Sequence, residues 1–173
     1  MESKQKNALA DRAFKLGFDF ERDYRGCAQC VFAALQDTLD LRNNATDAIF
    51  KSATALAGGS AVEGDGQCGA YSGALMMLGY IVGRERDKFD DPENIRKKTN
   101  ELARLLHDEF LSSYGTVVCH QIHRKIFGRP YYLADADEGL KFDEAGAHSD
   151  KCPTVVGDAA KWTVQILQEN NIL

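Results

Sequence analysis

The stretch CGAYSGALMMLGYIV, residues 68–82, decides the fold. It is apolar on nearly every side of a 3.6-residue spiral, the mark of a helix buried in the middle of a core. Amphipathic helical patterns lie on both sides of it. Residues 5–18 place Ala8, Ala10, Phe14 and Leu16 on roughly one stripe, and residues 27–39 gather Cys27, Val31, Ala34 and Leu35. Residues 45–57 carry Ala45, Ile49, Ala53 and Leu56, and Gly58-Gly59 supplies a stop. A long pattern over 92–112 starts at Pro92 and runs through Ile95, Leu102, Leu105, Leu106 and Phe110. A short helix is predicted at 117–127, closed by Gly128, and a last one at 153–169 with Val156, Ala160, Val164 and Leu167. No segment alternates long enough to be a strand. The predicted fold is all-α, a single domain over residues 1–173 of six or seven helices around the buried central one. Two stretches read as loops, the glycine-rich 58–67 and the polar 129–151. A loop of the second length inside a compact domain is functional or conceals a short element.

The 21 basic and 26 acidic residues leave a net charge of −5. That disfavours nucleic acid and anionic membrane surfaces, which need a basic face. The apolar run from Gly73 to Val82 is too short to span a bilayer and contains glycine, and the N-terminal residues lack a signal-peptide core. A cytoplasmic location without membrane insertion is expected.

Five cysteines at wide spacings, Cys27, Cys30, Cys68, Cys119 and Cys152, do not read as a secreted disulfide scaffold. They are metal ligands, reactive thiols or core packing. Cys27, Cys68, Cys119 and Cys152 each fall at or near a predicted helix start, where unpaired N–H groups and the helix dipole favour thiolate. The N-caps expected are Asp65 ahead of Cys68 and Thr116 ahead of Cys119. Cys152 itself is expected at an N-cap, with Pro153 at the first helical position. Cys68 is expected to be the most thiolate-like. Four such positions converging on one point make a redox or metal centre. Cys30 shares a helix face with Cys27 and reads as packing, a spare ligand or a resolving thiol. His123 lies one turn after Cys119 and could be a base or a ligand, but without a third orienting group it reads as merely a solvated residue. His107 and His148 have no suggestive company.

Residues 58–73 hold six of the fifteen glycines. No Walker or Rossmann pattern is present. A glycine loop opening a helix can instead present its N–H groups to an anion or an inorganic cluster. Gly66, Gly69 and Gly73 are the cofactor-binding candidates, and the last two, four apart, also allow another helix to approach closely.

Taken in order, Gly26-Cys27-Ala28, Cys68-Gly69-Ala70-Tyr71-Ser72-Gly73-Ala74, Cys119 after Tyr114-Gly115, and Cys152 resemble a family of redox-active proteins named for the pattern C, GCAxxG, C, C. The resemblance covers roughly residues 8–170. It implies redox chemistry through Cys27, Cys68, Cys119 and Cys152, and similar domains joined to multihaem cytochromes point to an iron–sulfur centre. This chain departs from the pattern with glycine before Cys27, where asparagine is common, and with Cys30 in place of a small apolar residue. No CxxCH motif for covalent haem is present. Three functions are expected in this order: electron transfer or redox sensing through a cysteine-ligated iron–sulfur cluster, thiol–disulfide chemistry, and a structural zinc site or metal-free buried cysteines. A separate redox protein is the expected partner, and a homodimer is compatible with the sequence.

Overall fold

The chain folds so that its first and last helices lie against each other. The computed structural model describes residues 2–173, with side chains from residue 7 onward. The described residues form eight α-helices and no strand: α1 (Glu2–Tyr24), α2 (Cys27–Leu39), α3 (Asn44–Ser52), α4 (Gly69–Val82), α5 (Ile95–Tyr114), α6 (Cys119–Phe127), α7 (Ala136–Glu144) and α8 (Cys152–Glu169). α1 packs along α8, α2 packs on α1, α4 and α8, and α5 closes over α4 and α8. The core is therefore helix on helix, with α4 and α8 sharing its centre. Val31, Phe32, Leu35, Met77, Leu78, Leu106, Phe110 and Leu167 are buried there. No described helix is long and apolar enough to cross a membrane.

Close approach is built from small residues. A Cβ on Gly17 would sit 3.0 Å from the Val156 carbonyl oxygen, and one on Gly157 would meet Phe14 at 2.9 Å. These two positions bring α1 and α8 nearly backbone to backbone. Gly73 does the same between α4 and α2, where an added Cβ would run into the Ala28 carbonyl and Val31.

Four local readings are corrected. The stretch 129–151 is not all loop, because it contains α7 and a π-helical turn at Ala147–Lys151. α7 buries only Phe142, so it has no apolar stripe to reveal it, yet its start is marked by the Asp135 carboxylate accepting the Glu138 N–H. α5 begins at Ile95 rather than Pro92, since Asp91 accepts from the N–H groups of Ile95 at 2.7 Å and Arg96 at 3.1 Å. α3 gives way at Ser52 to a 3₁₀ turn, Ala53–Leu56. In α1 the buried face is Ala10, Ala13, Gly17 and Glu21, and Ala8 is exposed.

Candidate functional site

The glycine loop is where the site is assembled. The five residues Gly58 to Val62 all have φ between 49° and 78°, a left-handed turn. Glycine adopts this freely, but Ser60, Ala61 and Val62 each pay roughly 1–2 kcal/mol for it. The turn is held by Ala61 N–H to Ala55 O and Gly64 N–H to Gly58 O, both under 3 Å. Beyond it, an antiparallel bridge pairs Gln67 with Val118. Cys68 N–H donates to Val117 O at 2.7 Å, Cys119 N–H to Gly66 O at 3.0 Å and His120 N–H to Gly64 O at 2.8 Å. Cys68 and Cys119 flank the bridge on its same face, opposite Gln67 and Val118. One short ladder thus fixes two cysteines and aims the starts of α4 and α6.

Cys27 opens α2, Cys119 opens α6, Cys152 opens α8, and Cys68 is the N-cap residue of α4. The expected caps are different in detail. No side chain caps α4, and Asp65 is exposed. Val118 is the N-cap of α6, with Thr116 Oγ1 accepting the Val118 N–H just outside it. Cys152 is the first residue of α8 rather than its cap, so Pro153 moves to the second position.

All four cysteines line one cavity of about 400 Å³, together with Glu21 and His123. The neighbouring Cys68 side chain, then burial, pushes the Cys27 thiol well up. Burial pushes Cys152 well up and Cys119 to about 12. Burial at Cys119 and Cys152, and Cys68 followed by burial at Cys27, thus push up thiols that the helix starts were expected to lower. All five cysteines are free thiols. Cys30 is absent from the cavity lining. Its Sγ lies 3.1 Å from the Arg25 carbonyl oxygen and within hydrogen-bonding reach of Glu21. Gly69 lies directly over Cys27 Sγ, so its missing Cβ makes room for that sulfur, while Gly66 packs on the Gly59 carbonyl.

Two polar groups in the cavity were not singled out by sequence. Glu21 is 3% exposed, and its Oε2 has no hydrogen-bond partner. Burial raises its carboxyl to about 7, against smaller lowering effects of Cys30 and Arg25. His148 stands between Glu21 and Asp143, 3.6 Å from each carboxylate. Glu21 was legible as a charged residue one heptad past Phe14 on the inward side of α1, had that helix been carried past residue 18. His148 gave no such signal.

Glu21 makes the metal-free, reduced protein sensitive to pH. Its carboxyl holds its proton to about pH 7 when folded, against an ordinary value of 4.5. The folded state then binds more protons across that window, so stability falls as pH rises through it, by about 3 kcal/mol in all. Glu21→Gln should remove most of that fall and leave the protein more stable than the parent at pH 8. Urea unfolding at pH 5 and pH 8 measures it, and equal falls in both proteins would discharge Glu21 of the effect.

Among the described residues no three histidine, cysteine or carboxylate side chains converge tightly enough to hold one metal ion. The donors ring a space instead. No curated protein and no solved structure matches the chain. A family model described as "Putative redox-active protein (C_GCAxxG_C_C)" matches residues 26–166, a span that contains all five cysteines. The chain belongs to this C_GCAxxG_C_C family of redox-active proteins.

Proposed function

We propose that this protein transfers electrons or senses redox state through an iron–sulfur cluster held by Cys27, Cys68, Cys119 and Cys152. The observation that carries this reading is the placement of four thiols, each at a helix start, around one cavity of about 400 Å³. The donor set suits a polynuclear centre better than a lone zinc ion, whose four ligands must all lie about 2.0–2.3 Å from one point. The electrostatics lean the same way. Buried thiols pushed up beside Glu21 stay protonated until a cationic centre displaces their protons, which is how metal binding couples to thiol ionisation. The helix starts then face an anionic cluster with their N–H groups. When bound, the cluster supplies a one-electron store whose potential depends on burial and on hydrogen bonds to its sulfurs. The chain holds it with the four sulfurs and screens it from water with the left-handed turn and α7. A separate redox protein is the proposed partner.

A second reading rests on Cys27 and Cys68 lining the same cavity, with Cys68 the main influence on the Cys27 thiol, as a dithiol that exchanges two electrons by forming a disulfide. Anaerobic purification with an absorption spectrum, iron and acid-labile sulfide analysis, and mapping of disulfides after mild oxidation separates the two. Broad visible absorption with iron and sulfide is expected. A metal-free protein that cycles reversibly through a Cys27–Cys68 disulfide would replace the cluster with the dithiol, and stoichiometric zinc in a colourless protein would remove both.

A further inference from the structure

His123 is an imidazole that the fold buries and then leaves almost without polar company. It is 3% exposed and packs among aromatic rings, with Phe142 at 4.8 Å and Phe127 at 5.4 Å between centroids. Nδ1 has no hydrogen-bond partner, and the one polar neighbour of Nε2 is Cys119 Sγ at 3.5 Å. Neither nitrogen meets an oxygen. A buried polar group left this way costs about 1–3 kcal/mol, and a leucine would fill the same aromatic nest without that cost. A requirement beyond packing therefore keeps a histidine here.

The geometry around Cys119 points to that requirement. Cys119 and His123 are four apart on α6, so both side chains lie on one face, and both line the four-cysteine cavity. Metal–sulfur bonds of about 2.3 Å and metal–nitrogen bonds of about 2.0–2.1 Å at a tetrahedral angle set the two donor atoms roughly 3.6 Å apart. The observed 3.5 Å is that spacing. Cys27, Cys68 and Cys152 line the same cavity.

We infer that His123 is a ligand of the centre in this cavity, sharing one metal atom with Cys119, so that the donor set is mixed cysteine and histidine rather than cysteine alone. The inference rests on the cluster reading above. It revises the all-cysteine donor set of that reading, because imidazole in place of one of the four thiolates withdraws one negative charge and raises the reduction potential.

Nitrogen hyperfine spectroscopy tests this without any variant. The full chain, reconstituted anaerobically with iron and sulfide and reduced by dithionite, should show the strong ¹⁴N coupling of a directly bound imidazole. That coupling should change to the ¹⁵N pattern when histidine alone is labelled. His123→Cys, which offers a thiolate at the same position, should keep iron and sulfide, lose the nitrogen coupling and have a lower potential. A reconstituted cluster with iron and sulfide but no bound-nitrogen coupling overturns the histidine ligand and leaves the cluster standing. A protein that takes up no iron overturns both. Should His123→Cys fail to fold, the labelling experiment on the parent chain decides alone.

Discussion

Cys68→Ser should yield a protein that folds at least as well as the parent and cannot assemble the proposed iron–sulfur cluster. Cys68 is the N-cap of α4, and no side chain caps that helix. Its φ of −54° and ψ of 132° suit a capping residue, and serine is a far better cap than cysteine. The metal-free variant should therefore gain up to about 1 kcal/mol in urea unfolding. The same substitution removes one of the four sulfurs proposed to hold the cluster. Iron retained after reconstitution should drop at least tenfold, and the visible absorption with it. The opposite signs make the result legible, since lost iron cannot then be blamed on a damaged fold. A variant with the parent's iron, sulfide and spectrum would take Cys68 out of the ligand set.

The second large effect is at Gly73. Helix propensity alone says that Gly73→Ala stabilises α4 by about 1 kcal/mol. Packing says the reverse. The new methyl would run into the Ala28 carbonyl, and neither that backbone nor the β-branched Val31 beside it can turn away. α2 must then back off from α4, taking Cys27 with it. Overpacking of this kind costs about 1–3 kcal/mol, so the net result should be a loss of stability. Gly79→Ala on the same helix is the control, because nothing lies within 4 Å of a Cβ there. It should follow propensity and stabilise. If both variants gain stability, the close approach of α2 and α4 is not what fixes glycine at position 73.

These two residues also indicate what sequence could and could not reveal. The helical class, the bounds of α2 and the four cysteines at helix starts were legible because period and cysteine position are local properties. The gathering of the cysteines into one cavity was expected from the shared placement and from the family resemblance, and it is found. The means of gathering them was not legible. The bridge between Gln67 and Val118 joins segments fifty residues apart and leaves no alternation to read. α7 was missed because one buried phenylalanine makes no stripe. Glu21 and His123 were passed over for a different reason. Each is a polar residue whose meaning depends on burial, and burial is decided by which helices come to lie against it. The N-caps misread at Asp65 and Thr116 lie within the two or three residues over which such boundaries drift.

The packing of α1 along α8 sets an order of events for the chain as it is made. The cavity needs Cys152 and the inward face of α1, which stand on the last and the first of the described helices. While a ribosome is still adding residues up to about Glu169, α1 has no α8 to lie on, and its strip of Ala10, Ala13, Gly17 and Glu21 faces water. α2 and α4 can pair in that interval through contacts much nearer in sequence, which form sooner. Cys27 and Cys68 stand on that early pair, and Cys152 comes only with α8. α8 is therefore the element that completes the cavity, bringing Cys152, Val155 and Val156 to a wall that the earlier helices leave open.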